Sequence, residues 1–266
     1  MEVAGYIGAL VMGLTLGLIG GGGSILTVPI LVYLFGVDAV TATGYSLFIV
    51  GITALFGGGS HMRQGNVHWP SVLWFGVPSI VAVFATRQWI MPALPDVWMT
   101  LGSVIVSKSI GLLLLFALLM VAAAVSMLRP AGKMKAPATK PRSTALLLSA
   151  AEGIAVGTLT GLVGAGGGFL IIPALVMLAG LGMKQAIGTS LVIIAAKSLI
   201  GFTGDLSQGS PMDWHFLLAF TGVAIAGILI GSTLSKRVRD ERLRPAFGWF
   251  VLMMGILIIV KELLGA

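Results

Sequence analysis

The sequence predicts an all-α polytopic integral membrane protein, built as two inverted five-segment repeats with broken or short helices near the bilayer midplane. Three observations carry that expectation: the scarcity of charge, the duplication of one glycine-rich unit, and the confinement of basic residues to two clusters between apolar segments.

Of 266 residues, 57% are hydrophobic and 9% charged, against about 25% charged in soluble domains. Uncharged runs at 3–37, 64–86, 109–128 and 153–183 each reach the roughly 20 residues needed to cross a hydrocarbon core about 30 Å thick. No alternating barrel-type segments occur, so the backbone must satisfy itself within helices. The opening "MEVAG" lacks the basic region of a signal peptide, so the first apolar run is expected to be a retained membrane segment. With no cysteine in the chain, disulfides, thiolate metal sites and thiol catalysis are excluded.

The stretch "GLIGGGGSILTVPIL", Gly17 to Leu31, returns 144 residues later as "GLVGAGGGFLIIPAL", Gly161 to Leu175. At that offset residues 17–65 align with 161–209 without a gap, and 20 of the 49 pairs are identical. Hydrophobicity alone would not match Pro29 with Pro173, Gly44-x-Ser46-Leu47 with Gly188-x-Ser190-Leu191, or Gln64-Gly65 with Gln208-Gly209. Duplications of this kind are typical of secondary transporters, whose halves enclose a site between them.

Residues 1–128 therefore read as a first transmembrane repeat, 129–143 as a basic linker and 144–266 as a second repeat. Helical segments are expected near 3–19, 24–35, 38–58, 70–88 and 98–128, then near 144–164, 168–180, 183–204, 213–234 and 245–264. The clusters "RPAGKMKAPATKPR" (129–142) and "KRVRDERLR" (236–244) mark cytoplasmic loops by the positive-inside rule, more simply than they mark a nucleic-acid surface. An even number of crossings must separate them. Each half then crosses an odd number of times, which inverts one half relative to the other. Trp69, Trp74, Trp89, Trp98, Trp214 and Trp249 flank segment ends as interfacial anchors.

A helix that begins just after a glycine run aims unpaired N–H donors and the positive end of its dipole at one spot, which attracts anions. On this reading Gly21, Gly22, Gly23 and Ser24 in one half, and Gly166, Gly167 and Gly168 in the other, bind substrate; the alternative is that the glycines serve helix packing alone. Pro29 and Pro173 suit the first turn of such helices. Ser46, Thr189 and Ser190 offer hydroxyls to line a polar path, or bond their own backbone. Asp38 reads as an N-cap.

Charges inside apolar segments cost at least about 2.5 kcal/mol each on insertion scales. Lys197, whose repeat partner is Thr53, is the leading anion-binding candidate; Lys108 lies nearer a segment start and is free to snorkel. Glu152 is a candidate proton carrier or the partner of a basic neighbour. His61, Arg63 and His68 are assigned to a loop at the outer face or a pore mouth, and three histidines without paired carboxylates make a metal site unexpected. No cofactor or catalytic residue is expected: the spans contain neither a nucleophile with a base nor metal-ligand spacing.

The glycine run ending in x-x-x-x-Pro, then Gly-x-Ser-Leu some fifteen residues on, then a small-residue helix and a "QG" loop, all duplicated, resembles the sulfite exporter (TauE/SafE) family of membrane permeases. The resemblance covers nearly the whole chain and places the family's glycine motif on Gly20 to Gly23 and Gly164 to Gly168, and its "GTSL" on Gly188 to Leu191. Ala165 interrupts the second run, and Tyr45 stands where the first "GTSL" would have threonine. The resemblance implies a multi-pass transporter of the bacterial inner membrane, moving sulfite, organosulfonates or other small sulfur-containing anions as a secondary carrier, with protons as the candidate coupling ion. An anion channel, or an uptake permease for another small anion, is the alternative. The sequence fixes no oligomeric state.

Overall fold

The computed structural model describes residues 2–101, 104–128, 142–164, 166–177, 179–207, 212–235, 237–238 and 240–265. Most of the basic linker (129–141), Ala165, the second "QG" pair and Lys236 lie outside these residues.

In chain order, α1 spans Glu2–Ile19, a 3-10 turn spans Gly21–Leu26, and α2 spans Thr27–Phe35. Next come α3 (Ala39–Arg63) and α4 (Trp69–Ala93), a hairpin of β1 (Val97–Leu101) and β2 (Val104–Ser107), and α5 (Lys108–Leu128). The second half contains α6 (Arg142–Val163), α7 (Gly168–Met177), α8 (Met183–Ser207), α9 (Trp214–Ser235) and α10 (Asp240–Gly265). Among the described residues, seven helices are long and apolar enough to cross a membrane; α1, the Gly21–Phe35 segment and α7 are shorter.

Three elements differ from the sequence reading. Residues 98–101 and 104–107, expected to open a helix, lie in two antiparallel strands in which Thr100 pairs with Ile105, as suits the β-branched run "VIVS". Pro29 lies in the first turn of α2, but Pro173 is the sixth residue of α7 and interior to it. The cause is local: a 3-10 turn occupies Gly21–Leu26 in the first half, whereas the second half passes directly into α-helix at Gly168. His61 and Arg63 belong to the last turn of α3, and His61 is buried.

Helix α4 carries π turns at Val72–Gly76 and Thr86–Ile90. Each precedes a proline, Pro78 and Pro92, whose missing N–H breaks the regular ladder, and a π turn absorbs such a break.

Glycines set the packing. Helices α1 and α9 lie backbone to backbone: a Cβ on Gly13 would meet the Ala224 carbonyl, one on Gly17 the Ile228 carbonyl, and one on Gly231 the Leu14 carbonyl. Residue numbers rise together along both, so the helices are parallel. Helices α6 and α4 pair in the same sense, Gly153 against Phe75 and Gly157 against Ser79. Small residues permit such approach where lipid supplies no hydrophobic drive. Helices α3 and α8 are the most buried of the long helices and run antiparallel, Gly44 against Asp205 and Gly58 against Val192. The loop after α3 therefore shares the end of the molecule where α6 begins.

The duplication is visible in the backbone. Gly20 and Gly164 take φ of 73° and 72°, and Gly36 and Gly180 take 68° and 66°, in the left-handed region that favours glycine. All six tryptophans are exposed on the outside of the bundle, where interfacial anchors belong.

Candidate anion site at the second glycine break

Between α6 and α7 the chain turns through Gly164, Gly166 and Gly167, with φ of 72°, 62° and 71°. Side chains are excluded twice over, by conformation and by space. A Cβ on Gly164 would strike the Thr43 backbone, and one on Gly167 would overlap the Thr160 methyl and come within 2.6 Å of Lys197 Nζ. The first turn of α7 closes with Leu170 N and Ile171 N donating to the Gly167 carbonyl at 3.0 Å each. The opening N–H groups of a helix have no intrahelical acceptor, and Gly167, the residue just before α7, lies against the Lys197 amine.

Lys197 is 0% exposed. Its Nζ donates to Thr160 Oγ1 at 2.8 Å, and Thr160 donates in turn to the Gly157 carbonyl at 3.2 Å. An ammonium has three donors, and among the described residues no acidic side chain pairs with this one. A buried cation without a counter-ion is costly, and an anion beside it removes that cost. Ser198 adds a second polar group: its Oγ is buried without a hydrogen-bond partner and lies 3.4 Å from where a Cβ on Gly166 would stand.

The first break is built differently. After Gly20 the chain winds into the 3-10 turn, where Gly23 N donates to the Gly20 carbonyl at 3.3 Å and Ser24 Oγ to the Gly21 carbonyl at 2.6 Å. Gly22 faces Phe247, and Gly23 faces the Leu16 and Met12 backbone. Thr53, equivalent to Lys197, donates to its own Ile49 carbonyl at 2.6 Å. The two breaks touch: a Cβ on Gly21 would overlap Gly168, and one on Gly168 would overlap Gly21.

The structure thus gathers Gly166, Gly167, Gly168 and Lys197 into one place, with Gly21 against it. Ser46 is buried without a hydrogen-bond partner. Thr189 Oγ1 accepts from His68 N at 2.9 Å, joining α8 to the loop after α3. Ser190 donates to its own Ile187 carbonyl at 2.8 Å. Glu152 is half-buried in α6. Lys108 Nζ donates to the Met91 and Leu94 carbonyls at 2.7 and 3.4 Å, tying the start of α5 to the end of α4. Asp38 caps α3 as expected, accepting from Val40 N at 2.8 Å.

Sequence reasoning missed Thr160 and Ser198. It also missed a buried ion pair in which Arg87 Nη1 lies 3.3 Å from Asp205 Oδ2 and donates to Thr43 Oγ1 at 3.0 Å. Arg87 and Asp205 each stand at the end of an expected apolar segment, which was the available signal.

The model of the sulfite exporter TauE/SafE family matches residues 6–258. A probable membrane transporter protein of Xylella fastidiosa (strain 9a5c) is 33% identical over 257 residues, covering 94% of this chain and 92% of its own. The probable membrane transporter protein YjnA of Bacillus subtilis (strain 168) is 27% identical over 263 residues, covering 97% and 100%. No solved structure matches the chain significantly. With seven helices long enough to span, this is a multi-pass protein of the plasma membrane, and it belongs to the sulfite exporter TauE/SafE family.

Proposed function

We propose that this membrane transporter carries a small sulfur-containing anion, sulfite or an organosulfonate, by alternating access, and holds it at the second glycine break. The observation that carries the reading is Lys197: a fully buried lysine whose one side-chain partner among the described residues is the neutral Thr160, set against the start of α7. Lys197 supplies charge, the opening amides of α7 and Ser198 supply directed donors, and Thr160 holds the ammonium between substrates. Gly164, Gly166 and Gly167 keep the backbone close enough for these donors to converge. Gly21 presses the first break against this site at Gly168 and closes its far wall.

Residues 1–128 and 144–266 act as inverted repeats. Supporting this, the equivalent helices α3 and α8 run antiparallel, and equivalent contacts recur at the 144-residue offset, Gly20 against Ile187 and Gly164 against Thr43. Glu152, eight residues before Thr160 in α6 and on the same helical face, is the proposed proton carrier.

The test is counterflow in proteoliposomes. Sulfite or a sulfonate loaded on the trans side is expected to accelerate entry of labelled substrate, and an imposed proton gradient to drive accumulation. Flux indifferent to trans substrate would identify a channel and remove alternating access.

A further inference from the structure

On helix α8, Lys197, Gly201 and Asp205 follow one another at four-residue intervals and share a face. Asp205 stands eight residues past Lys197, about 12 Å further along the helix at 1.5 Å per residue. Between them Gly201 has no side chain and faces Val83 and Leu47. The stripe ends at the ion pair: Asp205 Oδ2 meets Arg87 Nη1 at 3.3 Å, with the two side chains 13% and 1% exposed. Thr43 completes the closure by accepting from Arg87 at 3.0 Å. Gly204 draws Arg87 in, since a Cβ there would stand 3.0 Å from Arg87 Cβ.

These groups come from three helices, α3, α4 and α8. Arg87 lies in the second π turn of α4, where the ladder is already loosened. The other end of the α3–α8 pair is held by the backbone of the loop after α3, with Gly188 packed against the Asn66 carbonyl and the Thr189 hydroxyl accepting from His68 N. One end is therefore shut by side chains that can part without unwinding a helix.

We propose that Arg87, Asp205 and Thr43 form the gate at one end of the substrate path, closed in this structure, and that the Arg87–Asp205 pair separates to admit an anion to Lys197. This rests on the reading of Lys197 as the anion site. An arriving sulfonate or sulfite competes with Asp205 for the guanidinium, which suits oxyanions through paired N–H donors, so the gate responds to the class of solute the site holds.

The chain has no cysteine, which makes a single introduced thiol a clean reporter. Ser198→Cys places one beside the break, and its labelling by 2-sulfonatoethyl methanethiosulfonate, a membrane-impermeant sulfonate, is timed in oriented vesicles with reagent on one face at a time and no substrate present. Adding Asp205→Asn is expected to speed labelling from the Asp205 face about tenfold, as loss of one charge-assisted hydrogen bond implies, and to leave the opposite face unchanged. The exchange Arg87→Asp with Asp205→Arg is expected to restore slow labelling. If Asp205→Asn does not accumulate in folded form, Arg87→Lys, which keeps the charge but loses reach, is read the same way and gives a smaller rise from the same face. Unchanged labelling, or an equal rise from both faces, overturns the gate. Sulfite binding by Lys197→Met is measured separately: lost binding with unchanged labelling sinks the gate alone, and retained binding sinks the anion site on which it rests.

Discussion

The two glycine breaks descend from one motif and stand in contact, yet they differ in chemistry. Around the first, the atoms nearest Gly22 and Gly23 are apolar or backbone, from Leu16, Met12 and Phe247, and the hydroxyls of Ser24 and Thr53 are turned onto carbonyls of their own segments; Thr27 Oγ1 is buried there without a hydrogen-bond partner. Around the second, three glycines take left-handed angles where the first break uses one, and Thr160, Lys197 and Ser198 surround them. A duplicated scaffold thus supplies symmetric packing, while a few substitutions on one copy supply the charge. At the pairs 16/160 and 53/197, leucine and threonine in one half face threonine and lysine in the other.

The strongest way to break this comparison is to move the charge. Thr53→Lys puts an ammonium at a fully buried position whose counterpart of Thr160 in the repeat is Leu16, which has no hydroxyl, and is expected to cost at least about 2.5 kcal/mol, read as lost thermal stability and folded yield. Adding Leu16→Thr should recover part of the loss. Gly168→Ala comes next, because its Cβ falls on the Gly21 backbone and neither chain can yield; destabilisation of roughly 3 kcal/mol or more is expected, with a fall in melting temperature. Thr160→Val keeps shape and removes the acceptor of the Lys197 hydrogen bond; about tenfold weaker sulfite transport is expected, on the scale of a lost charge-assisted bond. Thr53→Val, the same change at the apolar break, should alter neither transport nor stability by more than about 0.5 kcal/mol. Equal effects of the two valine substitutions would mean that the breaks are functionally alike.

Much of the scaffold was legible because a bilayer leaves few options. Segment order followed from apolar length, and the repeat from glycines and prolines that no hydrophobicity requirement would place in register. The burial of Lys197 was legible for a related reason: a lysine in the middle of an apolar segment is costly against lipid and has to lie inside the bundle. Its partner was not. Thr160 lies 37 residues away on another helix and resembles any helical threonine until the fold brings it beside Gly167. The Arg87–Asp205 pair joins residues 118 apart, and each alone reads as an interfacial charge at a segment end. Packing also decided the hydroxyls: Ser190 bonds its own helix, Thr189 ties down a loop, and Ser198 faces the break.

The anion-site reading is tested most directly by titrating sulfite into purified wild-type protein and Lys197→Met, with thermal stability measured on both. Methionine conserves the side-chain volume and removes a buried charge, so the variant is expected to be at least as stable as wild type while binding weakens by about 100-fold or more. A binding isotherm unchanged by the substitution would contradict the account.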